Sequence, residues 1–323
     1  MNQNKVTNLD EAIKKYVKNG FHISIGGFTA NRVPMAAVYE IIRQEIRELH
    51  IYAHSNGQGV DELVGAGCVK KLEIAYAGNG RFAPTCIRTR KAVEKGELQL
   101  EDYTNYQMTL RFMAGAMGVP FLPTRSSLGT DIIRLWGFSE TMRREDPKLP
   151  DKKLVVLDNP FDGWNDVVRV VLVPAINPDV TIIHAQQADE QGTARIEGLS
   201  FADIEQAKAA KHLIVTCEEL VERDSLREEP DQNSIPFIFV DAVVPLPYGA
   251  YPTACYRCYD YDPVYLNNYK RCAADDALYG NYLKEYVYGF KSHEALIHFI
   301  GPDRLETIKA DKRTGYANNL DRR

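Results

Sequence analysis

The stretch His22-Ile23-Ser24-Ile25-Gly26-Gly27-Phe28-Thr29-Ala30-Asn31-Arg32-Val33-Pro34 constrains the fold of this chain more than any other. A short β-branched run ends in two glycines, passes through an aromatic residue and a polar turn, and reaches a proline. Met35, Val38, Ile41 and Ile42 then recur at helical spacing. Proline fits a first helical turn, where an N–H would have no partner. The reading is strand, glycine turn and helix, with the helix running to about Glu48. Glycine lets the backbone approach a ligand closely, and a helix start offers free N–H groups to negative charge. Two N–H groups aimed at one oxygen can stabilise an oxyanion in acyl chemistry. The same pattern also serves as a plain tight turn in an α/β domain.

The pattern repeats along the chain. A helix over 7–20 precedes it, with Ala12, Ile13, Tyr16 and Val17 on its apolar face and Gly20 as its stop. Leu49–Ala53 and Lys71–Tyr76 read as the next strands, separated by a helix around Asp61–Ala66, and a further helix occupies about 102–118. Parallel strands resume at Val180–His184 and Leu213–Cys217, with a helix from near Phe201 between them. Strands alternating with helices imply an α/β fold, an open and largely parallel sheet flanked by helices. The expected organisation is one domain with approximate lobes 1–138 and 174–300. A smaller β-rich excursion is expected at about 139–173 and a flexible, charged tail at about 310–323. Tyr248–Tyr282, rich in tyrosine and poor in periodicity, reads as surface coil plus a helix, more a subunit contact than a core. Ligands gather at the carboxyl ends of parallel strands. The turns at 26–31, 55–59 and 78–80 each follow an expected strand, so they can meet on one rim.

Composition removes several classes. With 39 basic and 44 acidic residues the net charge is −5, which argues against a nucleic-acid surface. No apolar run approaches the ~20 residues of a membrane helix. Six cysteines in 323 residues do not make a disulfide scaffold, and the polar start Met1–Lys5 lacks a signal peptide's apolar core. A cytoplasmic setting is expected. No phosphate loop of the G-x-x-x-x-G-K-[ST] type occurs.

Gly26-Gly27-Phe28 with Pro34 downstream resembles the V-G-G-F-G-x-x-G-x-P signature of family I coenzyme A transferase α chains. Ser55-Asn56-Gly57-Gln58-Gly59-Val60-Asp61 resembles their S-N-x-x-G-V-D segment, and Ala75-Tyr76-Ala77-Gly78-Asn79-Gly80 their S-Y-x-G-x-N. The likeness extends from about Leu9 to about Asp262, through Gly118–Pro123, His184–Ala188, Ile214–Glu219 and Tyr248–Pro252. The resemblance implies the α subunit of a heteromeric transferase. Such an enzyme moves CoA between an acyl-CoA and a short-chain, glutaconate-like dicarboxylic acid by a ping-pong mechanism. In the family the nucleophile is a glutamate in an S-E-N-G motif of the β subunit, a form of covalent catalysis. That motif is absent here; Ser55-Asn56-Gly57 lacks the glutamate. This chain is therefore expected to work in a hetero-oligomer with a glutamate-bearing β subunit, with coenzyme A as cosubstrate and no metal. Gly26, Gly27 and Phe28 would form an oxyanion loop. Thr29, Asn31, Ser55, Asn56, Asn79, Gly80, Arg81 and Asn105 would face substrate.

Asn105 falls where family transferases carry glutamine and related ring-cleaving hydrolases carry glutamate. A neutral amide can donate to a carboxylate or thioester oxygen but cannot act as a general base. That weakens the alternative of a CoA-ester hydrolase, while a decarboxylase subunit or a non-catalytic CoA-binding scaffold keeps the same fold. Arg81, Arg88 and Arg125 follow rim turns, and any of them is a candidate to pair a second carboxylate. His184 ends an apolar strand and reads as a satisfied core histidine. Cys255 and Cys258 have CxxC spacing but no second pair to complete a zinc site.

Overall fold

The computed structural model describes residues 4–161, 168–318 and 320. In chain order, α1 (Leu9–Tyr16) leads to β1 (His22–Ile25), α2 (Met35–Arg43), β2 (Leu49–Asn56), α3 (Gln58–Gly65), β3 (Val69–Ala77), α4 (Ile87–Glu94), β4 (Gln99–Asp102) and α5 (Asn105–Met117). After β5 (Phe121–Thr124), α6 (Glu140–Glu145), β6 (Val155–Asp158) and β7 (Arg169–Pro174), the chain returns through β8 (Val180–Ala188) and β9 (Ala194–Arg195). It continues into α7 (Asp203–Ala209), β10 (His212–Leu220) and β11 (Ala242–Pro245).

The main sheet runs β11-β10-β8-β1-β2-β3-β4, with β9 pairing β8 antiparallel and every other pairing parallel. Its inner strands are buried on both faces, as in β1 and most of β2. One of the two buried faces is polar in β1: His22 and Ser24 alternate with Ile23 and Ile25, and all four are buried. The expected lobes 1–138 and 174–300 share this single sheet, joined where Ile23 pairs with Val180. From that seam the first half of the chain builds outward through β2, β3 and β4, and the second through β10 and β11. The strand order therefore reverses between β1 and β8.

Local chemistry sets the element ends. Asn8 caps α1, its side chain accepting from the Glu11 N–H. α2 ends at Arg43, short of the expected Glu48. Glu45 and Glu48 take left-handed φ values of 54° and 60°, and Ile46 turns back into the core. Pro34 caps α2 rather than opening its first turn. α5 begins with a capping box in which Thr104 and Gln107 satisfy one another's backbone N–H groups. Thr104→Ala should lower stability by about 1 kcal/mol, measurable as a shifted urea midpoint at unchanged slope. α5 sits on a buried polar layer. Arg111 pairs with Glu73 and stacks 4.1 Å from the Tyr103 ring, while Arg143 of α6 reaches both oxygens of Glu101.

Three expectations change. The smaller sheet is antiparallel, β5-β7-β6, and spans Phe121–Pro174 rather than 139–173, because Phe121–Thr124 pairs with β7 while part of 139–152 is helical. Residue 167, the expected start of its last strand, lies outside the described residues. The tyrosine-rich third is core. Tyr251, Tyr259, Tyr265, Tyr269, Tyr279 and Tyr282 are buried in one cluster, and helices at Pro263–Ala273 and Asp276–Tyr282 carry four of them. Their hydroxyls find buried carboxylates. Tyr39 and Tyr282 donate to Glu62 at 3.1 and 3.0 Å, Tyr269 to Asp61 at 2.8 Å, and Tyr251 to Asp262 at 2.6 Å. Period-based reading misses this because a tyrosine with a partnered hydroxyl is a core residue wherever it falls. The described part of the tail is also packed. Ala310 N–H donates to Cys258 O, Ala317 N–H to Asp260 Oδ2, and Gly315 O accepts from Arg257 N–H.

Candidate active site

The β1–β8 seam is a topological switch point, the position at which open α/β sheets bind ligands. The glycine turn leaves β1 there. It is strained at Thr29 and Arg32, which lie in the left-handed region at φ 52° and 47°, while Gly27 takes φ 84° without a side-chain clash of its own. A β-branched residue at positive φ is a genuine outlier, and such strain concentrates at functional sites. From the second half of the chain Phe201, also left-handed at φ 53°, stacks on Phe28 with ring centroids 4.6 Å apart. The two halves of the protein thus meet ring to ring at the seam.

The three rim turns do converge, and hydrogen bonds stitch them together. Thr29 N–H donates to Ser55 O at 3.0 Å, Asn56 Nδ2 to Gly26 O at 3.2 Å, and Gly78 N–H to Asn56 O at 3.3 Å. Asn79 Nδ2 donates to Gln58 Oε1 and Ser55 Oγ to Asn105 Oδ1, each at 2.5 Å. Gly57 is required here, because a Cβ would lie 2.0 Å from Asn79 Oδ1. Asn105, Phe28 and Thr29 remain accessible, whereas Ser55, Asn56 and Asn79 are buried. Ser55, Asn56 and Asn79, expected to face substrate, therefore hold the rim rather than line its open face, Ser55 through its hydroxyl on Asn105. Asn31 is exposed, its side chain donating to Phe28 O. Gly80 is exposed at φ 54°, and Arg81 stacks over Phe82 and Tyr261.

The backbone donors of the glycine turn are already engaged. Gly26 N–H donates to Ile182 O at 3.0 Å, Gly27 N–H to Asp203 Oδ1 at 2.9 Å, and Phe28 N–H to Asn31 O at 2.8 Å. An open pair of oxyanion donors, expected from the glycines, is not what this turn presents. It presents a fixed turn carrying Phe28 and Thr29. The reason is the close approach of β8 and α7, which the glycines permit; a Cβ on Gly26 would sit 3.2 Å from the Asp203 carboxylate.

Two further groups complete the rim. His54 lies 5.6 Å from the Phe28 ring. Burial lowers its pKa, and its Nδ1 is buried without a hydrogen-bond partner. It directly precedes Ser55, a proximity visible in the sequence. Beside the turn a cleft of about 440 Å³ is lined by Arg32, Glu197, Phe201, Tyr256, Tyr261 and Tyr316, a size that suits part of a small ligand. Only the fold brings Phe201 and Tyr316 to it.

The arginine candidates separate. Arg88 pairs with Asp276 and lies 4.4 Å over the Tyr279 ring, so it belongs to the C-terminal packing. Arg125 is exposed after β5 in the small sheet. His184 is fully buried, with Nδ1 2.8 Å from Thr216 Oγ1 and Nε2 2.7 Å from Glu218 Oε1, a satisfied core histidine. The fold also sets Cys255 beside His184 and Glu218, their ligand atoms within 4.8 Å of one another, which CxxC spacing does not reveal. Glu218 is already the acceptor for Tyr259 Oη at 2.5 Å and for Tyr248 N–H at 2.8 Å.

Residues 6–245 match the family model of coenzyme A transferase. Over 312 residues the chain is 41% identical to the α subunit of the glutaconate CoA-transferase of Acidaminococcus fermentans, covering 97% of each protein. Its fold superposes on a crystal structure of the glutaconate coenzyme A-transferase of that organism with a TM-score of 0.93 over 98% of each chain. It is 32% identical over 286 residues to the α subunit of the 3-oxoadipate CoA-transferase of Pseudomonas knackmussii, covering 88% of this chain and 93% of the relative. A crystal structure of a decarboxylase AibA/AibB variant is similar at 30% identity and a TM-score of 0.69, over 88% of this chain and all of that one. With the parallel sheet, the seam and the rim turns in place, the family model covering most of its length assigns the chain: it belongs to the coenzyme A transferase family.

Proposed function

We propose that this chain is the α subunit of a CoA-transferase acting between an acyl-CoA and a short-chain, glutaconate-like dicarboxylic acid. The observation that carries the reading is the seam. A strained glycine turn leaves β1 where the strand order reverses, with a neutral amide–hydroxyl pair at Asn105 and Ser55 beside it and a ligand-sized cleft opening past its Asn31–Arg32 end. The names of the relatives at 41% and 32% identity support the transfer reaction and the subunit role.

In this reading a β subunit supplies a glutamate carboxylate that attacks the acyl-CoA carbonyl carbon and displaces the CoA thiolate, forming a mixed anhydride. The thiolate then attacks the glutamyl carbonyl and releases the first acid. The acceptor carboxylate opens the resulting glutamyl thioester in the reverse sequence. Splitting one exchange into two similar steps is the advantage of a covalent carrier. This chain's contribution is the wall that fixes the thioester: Phe28 and Thr29 on a rigid turn, with Asn105 and the neutral His54 as polar neighbours. Asn105, an uncharged amide, orients an oxygen without competing as a base.

The test is mass spectrometry of the complex with its native partner, incubated with glutaconyl-CoA and trapped with borohydride. A reduced glutamate on the partner and none on this chain is the expected result. Release of free CoA without an adduct would replace transfer by hydrolysis or decarboxylation, the latter suggested by the AibA/AibB likeness. CoA-ester binding without turnover beside a glutamate-bearing partner would leave only the scaffold role.

A further inference from the structure

Beneath the glycine turn lies an ion pair that the sequence places 171 residues apart. Arg32 Nη2 donates to Asp203 Oδ2 at 2.9 Å, and both side chains are almost wholly buried. The other oxygen of the same carboxylate accepts from Gly27 N–H at 2.9 Å. Arg32 Nη2 also reaches the carbonyls of Leu199 and Ser200 at 3.2 and 3.5 Å, the residues that lead into Phe201. One carboxylate and one guanidinium therefore tie both sides of the Phe28–Phe201 contact to each other.

Such a pair is a poor device for stability alone. Removing two charges from water carries a penalty that their attraction only partly offsets, and an apolar pair of similar volume often serves stability as well or better. What an apolar pair cannot do is fix a backbone N–H and two carbonyls in one geometry, as a charge-assisted, forked set of hydrogen bonds does. The atoms that Arg32 and Asp203 fix belong to the strained turn and to the segment that faces it across the seam.

We propose that Asp203 and Arg32 are positioning residues for the transfer, holding the Gly27–Phe28 turn and the Leu199–Phe201 segment at their working separation. This rests on the function proposed above. Neither side chain needs to touch substrate. Asp203 acts through Gly27 N–H, and Arg32 acts through Asp203 and the two carbonyls.

The experiment uses the complex with its native partner, glutaconyl-CoA as donor and acetate as acceptor. Asp203→Asn should lower kcat per folded complex by roughly tenfold to a hundredfold, the scale of a misplaced reacting group, with little change in KM for the CoA ester. The unfolding midpoint falls because Arg32 is left buried without its counter-charge, and the rate is read at a temperature where the variant complex is still folded. Hydrogen exchange in the peptide covering 23–33 should accelerate in Asp203→Asn. Asp203→Glu should recover part of the rate. Arg32→Gln combined with Asp203→Asn should be no slower than the worse single variant, because both remove one device. Wild-type kcat in Asp203→Asn, or rate loss that tracks loss of folded complex, would overturn the proposal. If the wild-type complex transfers nothing, the functional reading fails on its own, and unchanged exchange in Asp203→Asn then refutes the clamp separately.

Discussion

Gly27→Val in the complex with its native partner should reduce transfer by about a hundredfold while leaving a folded chain. Gly27 has φ 84°, and an added Cβ would lie 2.7 Å from the carbonyl carbon and oxygen of Arg32 and from the oxygen of Asn31. All three are backbone atoms, so no side chain can rotate away. The turn must shift, and a shift of roughly 1 Å in a positioned group is enough for a loss of that size. The control is Gly20→Ala. Gly20 shares the left-handed conformation at φ 73° but has open space around its Cβ position. It should lose only about 1 kcal/mol of stability and keep full activity. Steady-state kinetics and circular dichroism of both variants decide the matter; equal rates in both would mean that the geometry of the turn does not govern the reaction.

The second large effect is on stability against pH. Glu62 is fully buried, and burial raises its pKa from 4.5 to about 8. Its Oε1 accepts from Tyr39, Tyr282 and Gln58, and its other oxygen is buried without a partner, a natural seat for the proton. Between these two pKa values the folded chain keeps a proton that the unfolded chain has released. Stability contributed by Glu62 therefore falls as pH rises through that window, by about 1.4 kcal/mol per unit, and levels off above about 8. His22 and His293 act in the opposite sense. Burial lowers both to about 4 from 6.5, so stability linked to their neutral forms is complete above 6.5 and is lost as pH falls below it. From 6.5 to about 8 the histidine contributions are complete, and because burial also raises Asp61 and Asp203, the share of Glu62 is read from its variant. Urea midpoints there should decline for the natural chain and decline less for Glu62→Gln, which keeps an acceptor for the three donors but cannot ionise. Parallel declines would show that Glu62 does not carry the proton.

Much of the architecture is legible because its determinants are local. The apolar stretches of β8 and β10 follow from burial on two faces, and the helical spacing of Met35, Val38, Ile41 and Ile42 marks α2, which is buried nearly all round. The convergence of the turns after β1, β2 and β3 follows from their position at strand ends. What escapes sequence reading depends on distant partners. Asp203 shows no local sign of holding Gly27, and Arg88 looks like any surface cation until Asp276 is placed beside it. The tyrosines from 251 to 282 read as surface because acceptors for their buried hydroxyls, such as Asp61 and Glu62, lie far away in the sequence. The glycine turn is the instructive case. Its residues mark the right place, but only the fold reveals that Ile182, Asp203 and Asn31 occupy the N–H groups that the glycines make available.

The glycine turn is also bound along its far edge by chain that follows the last strand of the sheet. Arg32 N–H donates to Ala254 O, Ala254 N–H to Ala30 O, Val33 N–H to Thr253 Oγ1 and Ala36 N–H to Gly249 O. The match to the family model ends at residue 245, before this edge, so the matched segment does not contain everything that holds the turn. Recombination at that boundary would join the glycine turn to a foreign wall. An exchange that keeps the geometry of the turn has to carry residues 249–254 with it, two stretches far apart in the chain that form one structural unit.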